Sequence, residues 1–198
     1  MILLLTISAV ASWILLIMIA IAVLALYRHF GQLYMNKPEN KTGQGPEVGS
    51  SVLSFGRKSV EGKDLYLPDA QPTVLVFADT DCELCAQIRD ELAHYDLSTS
   101  LARVLVLCSG RQADVTAWAR PLSGRVEVVW DQRASLASRY EVNGTPFAIV
   151  VDGEGVVAGK SIINGRAGID WALKLAEEPQ LVLDVAELDK GHSIEEAS

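Results

Sequence analysis

A short apolar run, Thr73 to Ala78 (TVLVFA), leads through Asp79-Thr80-Asp81 directly into Cys82-Glu83-Leu84-Cys85. The second segment opens a helix-patterned stretch from Glu83 to Leu97, with Leu84, Ile88 and Leu92 at four-residue spacing. A continuous apolar run of this length suits a strand buried on both faces, which needs a cover on each side. The remaining chain keeps the alternation. Val52 to Phe55 and Asp64 to Leu67 read as short strands about a turn at Glu61-Gly62-Lys63. Arg103 to Cys108 and Val126 to Trp130 read as further strands, with helices at Ala113 to Ala119 and Ala134 to Tyr140. Phe147 to Val151 and Val156 to Lys160 form a hairpin about Asp152-Gly153-Glu154-Gly155, and Gly168 to Glu177 is a last amphipathic helix. Strands alternating with helices, then a hairpin and a helix, predict an α/β fold: a central mixed sheet flanked by helices.

Charge divides the chain. Residues Met1 to Tyr27 contain no Asp, Glu, Lys or Arg, so the whole net charge of −8 lies beyond them. Ile2 to Leu26, as a helix of about 25 residues, would span about 37 Å, enough for a hydrocarbon core of ~30 Å. Tyr27, Phe30 and Tyr34 follow, suited to the interface. A cleaved signal peptide would have a shorter apolar region behind a positive start. The expected organisation is a transmembrane anchor over residues 1–30, a Gly- and Pro-bearing linker over 31–51, a folded domain over 52–178 and an acidic tail over 179–198. A flexible linker of that length reaches roughly 25 Å. An acidic chain lacks the basic footprint of nucleic-acid binding, and three cysteines are too few for a disulfide framework.

The Cys82–Cys85 spacing carries chemistry because of where it stands. A first cysteine at a helix N-terminus meets unpaired backbone N–H groups and the positive end of the helix dipole, which favour thiolate. The second lies one turn deeper and can close on the first. Such a pair beside a strand–helix unit reads as redox-active. Zinc would need about four ligands, and His29, His94 and His192 are not spaced to supply them. Two thiolates would also suit Cu(I), so a copper-binding or protein chaperone is the alternative function. Cys108 ends an apolar strand and reads as a core residue.

A second signal is Asn143-Gly144-Thr145-Pro146-Phe147, with Pro146 at the start of a strand, where no N–H donor is needed. With both motifs in view, the chain resembles the thioredoxin-like superfamily over about residues 45–178. Within it, the chain is similar to membrane-anchored bacterial thiol–disulfide oxidoreductases, the methylamine-utilisation thioredoxin-like proteins above all. That likeness rests on Tyr27-Arg28-His29-Phe30-Gly31-Gln32-Leu33 and Gly45-Pro46-Glu47-Val48-Gly49 after the apolar span. The resemblance implies a thioredoxin fold without a cofactor or resident metal. It implies Cys82 as the attacking thiol, Cys85 as the resolving thiol, a redox disulfide between them, and cis Pro146 with Thr145 in the substrate-binding loop. The implied partners are exported proteins with cysteines, a membrane reached by a single N-terminal span, and an upstream electron donor in that membrane.

The sequence departs from the family in three places. Asp81 replaces the usual Trp before the first cysteine, Glu83-Leu84 lacks the usual Pro, and Val76 stands where thioredoxin has a buried acid. Asp79 or Asp81 could serve as proton acceptor instead. Glu83, Asp79 and Asp81 oppose the helix dipole at Cys82, which favours a reductant or isomerase over a strong oxidant. A tethered thiol pair is most useful where exported thiols are oxidised, so the domain is expected to face the periplasm or exterior from the inner membrane. Arg28, Lys37 and Lys41, all after the span, oppose this by the positive-inside rule, although long domains translocate largely regardless of flanking charge.

Overall fold

The structure, a computed structural model, describes residues 43–178 together with Thr6, Trp13 and Met18, all three helical. The chain divides into two units, Met1–Glu39 and Asn40–Ser198. Every strand and helix with a described range lies in the second. The expected span Ile2–Leu26 lies outside the described residues apart from those three positions, as do the first part of the linker and the tail from Pro179 on. Among the described residues, no helix is long and apolar enough to cross a membrane.

Among the described residues, seven strands form two sheets. β1 (Phe55–Lys58) and β2 (Asp64–Leu67) make an antiparallel hairpin, with Phe55 opposite Leu67. The main sheet contains β3 (Thr73–Asp79), β4 (Arg103–Ser109), β5 (Glu127–Trp130), β6 (Phe147–Val151) and β7 (Val157–Ile162) in the order β5-β4-β3-β6-β7. β3, β4 and β5 are parallel, while β6 and β7 run antiparallel to their neighbours. The α-helices with a described range are α1 (Glu83–His94), α2 (Gln112–Ala119), α3 (Ser135–Arg139) and α4 (Gly165–Glu177). This is the mixed, helix-flanked α/β sheet that the sequence pattern predicts.

The period of two in a strand divides the core between the sheet's faces. Val74, Val76 and Ala78 of β3 join Ile88 and Leu92 of α1, Val115 and Trp118 of α2 and Ile169 and Leu173 of α4 in one cluster. Leu75 and Phe77 point the other way and join Phe55, Leu65 and Leu67 of the hairpin with Leu136 and Tyr140. Three helices thus cover one face, and the hairpin with α3 covers the other. Tyr140 sits edge-on to Phe55 and close to Phe77, and its hydroxyl donates to the Leu53 carbonyl. Burial pushes that hydroxyl's pKa upward.

Several boundaries differ from the sequence reading. The first strand begins at Phe55, not Val52, because Val52 binds elsewhere: its N–H donates to Gly155 O at 2.8 Å. Gly155, at φ +80°, closes the β6–β7 turn in a conformation that favours glycine. Helix α1 ends at His94 rather than Leu97, where Tyr95 turns extended and Asp96 accepts the Ser98 N–H at 3.1 Å. Helix α4 starts three residues early, at Gly165.

Candidate active site

The site is built where β3 gives way to α1. β3 ends at Asp79, whose carboxylate accepts the Ser109 hydroxyl from the end of β4 and, at 2.9 Å, the Asp81 N–H. The Asp79 carbonyl accepts the Cys82 N–H at 3.3 Å. These bonds turn the chain so that Cys82 becomes the N-cap of α1, with φ −91° and ψ 113°. Its Sγ accepts the Cys85 N–H at 3.1 Å, the position that a serine hydroxyl or aspartate carboxylate usually takes at a helix start. The sulfur therefore sits at the positive end of the helix, next to a donor that stabilises negative charge on it.

Cys85, one turn into α1, is fully buried beside Ile88. Cys82 is half-buried and packs against the edge of the same cluster. The two sulfurs are joined, at an S–S distance of 2.34 Å and a Cα–Cα distance of 5.2 Å. A group approaching from solvent meets Cys82 first. The residues around it are open: Asp81, Glu83 and Leu84 are all exposed.

Antiparallel pairing brings the second motif here. In the β3–β6 register Phe77 faces Phe147, so the start of β6 lies beside the end of β3. The Thr145–Pro146 bond immediately before β6 is cis, as the resemblance implied. The Thr145 carbonyl oxygen stands 3.7 Å from Cys82 Sγ. Cys82, Cys85, Thr145 and Pro146 are thus gathered at one end of the sheet. A second cis bond, Leu67–Pro68, has no counterpart in the sequence reading.

Cys108, on β4, is fully buried and free, in the same cluster as Cys85. Burial, and then the charges of Asp79 and Asp131, push its thiol from the ordinary 9.0 up to about 12. It behaves as a core residue, as expected. Asp131 was not singled out from the sequence. Almost fully buried, it accepts the backbone N–H of Leu136 at 2.8 Å and of Ala137 at 2.9 Å, plus the Ser135 hydroxyl at 3.0 Å. An Asp followed closely by Ser at a helix start is the signal that could have found it. Gln44 and Gly45, assigned to the linker, reach Asn143 and Glu141 respectively, contacts that the Gly45-Pro46-Glu47-Val48-Gly49 segment of the sequence does not reveal. Among the described residues, no three His, Cys, Asp or Glu side chains converge as a metal site would need.

Several curated relatives resemble the chain over most of its length. It is 24% identical over 200 residues to the methylamine utilization protein MauD of Methylobacillus flagellatus, covering 96% of this chain and 94% of that one. It is 27% identical over 180 residues to MauD of Methylorubrum extorquens, covering 84% of each. Among solved structures, the thioredoxin domain of a thiol-disulfide oxidoreductase from Bacteroides vulgatus superposes with a TM-score of 0.55 at 16% identity, covering 66% of this chain and 99% of that one. StoA from Bacillus subtilis superposes with a TM-score of 0.51 at 17% identity, covering 64% and 97%. These structures share the fold. The thioredoxin-like domain profile matches residues 63–165, more than half of the chain, from the hairpin through both motifs to the start of α4. The chain belongs to the thioredoxin-like domain family.

Proposed function

We propose that the protein is a membrane-anchored thiol–disulfide oxidoreductase that reduces or rearranges disulfides in exported proteins. One observation carries this reading: a solvent-reachable sulfur caps a helix and is linked to a fully buried sulfur one turn away. In the reduced protein the Cys82 thiolate attacks one sulfur of a substrate disulfide. A mixed disulfide forms and one substrate thiolate leaves. The Cys85 thiolate then attacks Cys82 Sγ, closes the Cys82–Cys85 disulfide and releases the second substrate thiolate. Two electrons pass to the substrate, and an upstream dithiol in the membrane returns them. Thr145 and Pro146 offer the backbone edge along which a substrate strand lies. The likeness to MauD supports a partner in methylamine utilisation, a cysteine-containing exported protein whose maturation needs this exchange.

The anchor is Ile2–Leu26, and the domain faces the periplasm or exterior. The apolar run and the oxidising location of exported thiols support this arrangement. An impermeant thiol reagent applied to intact cells should label reduced Cys82; protection until lysis would place the domain inside.

The central test is trapping. Full-length Cys85→Ser cannot resolve the mixed disulfide, so partners should accumulate on Cys82 as reducible adducts, and Cys82→Ser should abolish them. Absence of any adduct in membranes would defeat the proposal. Stoichiometric Cu(I) binding without disulfide turnover would instead assign a copper-chaperone role to the same two sulfurs.

A further inference from the structure

We propose that Gln44 and Gly45 are positioning residues of the redox site, holding the Glu141–Pro146 loop so that Thr145 presents its carbonyl to Cys82. This rests on the redox reading above. The loop's first turn is secured from within: Glu141 N–H donates to Ser138 O at 3.1 Å and Val142 N–H to Ala137 O at 2.9 Å. The next tie comes from far away in sequence. The Asn143 N–H donates to Gln44 Oε1 at 3.0 Å. Beside it, the Gly45 N–H donates to Glu141 O at 3.0 Å, and Lys160 Nζ donates to Gly45 O at 2.8 Å. Residues 44–45 thereby join the loop to β7.

Backbone shape supports the same assignment. Glu141 has φ +57°, a conformation that costs a non-glycine residue energy and persists where the surroundings dictate it. Both its N–H and its carbonyl are hydrogen-bonded, the carbonyl by Gly45. Gly45 itself has φ +77° and lies against the ring of Phe147, the residue after Pro146; a Cβ there would stand 3.2 Å from that ring. The Gly45 backbone thus abuts the start of β6 while its N–H holds the start of the loop. Asn143 and Gly144 are exposed and Gln44 is only half-buried. The Gln44 tie therefore orders a surface loop and adds little to the core, which separates a positioning role from a stabilising one.

The test uses the full-length, reduced protein in detergent, with two probes: a peptide carrying one disulfide and a small aromatic disulfide that needs no strand pairing. Gln44→Ala should slow exchange with the peptide about three- to tenfold, one hydrogen bond's worth. It should slow the small disulfide much less, and the Asn143 amide should exchange its hydrogen faster. Gln44→Glu should restore the peptide rate, because a carboxylate accepts the same N–H. Parental peptide rate and parental Asn143 exchange in Gln44→Ala would overturn the proposal. Equal slowing of both probes without rescue by Gln44→Glu would also overturn it, as a merely structural effect. If the parent protein exchanges with neither disulfide, the redox reading fails. Asn143 exchange then still judges the tie, and an unchanged rate refutes it.

Discussion

The Thr145 carbonyl oxygen stands 3.7 Å from Cys82 Sγ, across 63 residues of sequence. On its other side the sulfur accepts the Cys85 N–H at 3.1 Å. Cys82 is therefore held between a donor that favours the thiolate and an acceptor that favours the thiol. Two contacts thus bear on this sulfur, one made by its own helix and one by a distant loop.

Exposure should make the two cysteines of the pair unequal. After reduction, brief alkylation of the native protein should modify Cys82 and leave Cys85 intact, since Cys85 has no exposed surface. Peptide mapping by mass spectrometry reads this directly. Modification of Cys85 before Cys82 would reverse the assigned order of attack.

Charge beside the pair should tune its potential. Glu83 is an exposed carboxylate in the first turn of α1, a like charge to a thiolate at Cys82. Glu83→Gln should make Cys82 more acidic, stabilise the reduced form and raise the potential by up to roughly 30 mV. Equilibration with glutathione buffers measures the shift. No change would show that α1 and the Thr145 loop outweigh the local carboxylate.

Cys108 provides a pH signature. Its thiol is raised from 9.0 to about 12 in the folded protein, first by burial and then by Asp79 and Asp131. Between those values the unfolded chain loses this proton and the folded chain keeps it. The proton-linked stability is thus full below the lower value and falls as pH rises toward the upper one. Urea midpoints should drop across that window, and Cys108→Ala should flatten the drop. Native labelling at pH 8 should miss Cys108, and denaturation should reveal it.

Asp131 should matter to stability more than to chemistry. Asp131→Ala leaves the N–H groups of Leu136 and Ala137 without their acceptor in a buried site. A loss of about 1–3 kcal/mol is expected, read as a lower urea midpoint at an unchanged slope. A midpoint equal to the parent's would mean that water replaces the carboxylate. Because Asp131 also raises the Cys108 pKa, the same variant should make Cys108 easier to ionise.

Much of the fold was legible because its signals are local. The buried strands Thr73–Asp79 and Arg103–Ser109 announce themselves as apolar runs, and the Asp152–Gly155 turn by its composition. Helix ends were less legible. Helix α1 stops at His94 because the residues after it form their own turn, which apolar spacing does not register. Val52 read as a strand residue because it is apolar, yet its partner is Gly155, and only the folded chain brings them together.

By itself, the sequence determined that a cysteine would stand near a helix N-terminus after a buried strand, with a second cysteine one turn inside. Capping depends on neighbours three residues apart, so it follows from local order alone. Which carbonyl faces that sulfur was decided only by the tertiary structure. The antiparallel β3–β6 register brings Thr145 to Cys82, and residues 44–45, read as tether, close on the same loop. Such contacts join segments that are remote along the chain. They exist only once the sheet has formed, and no local pattern encodes them.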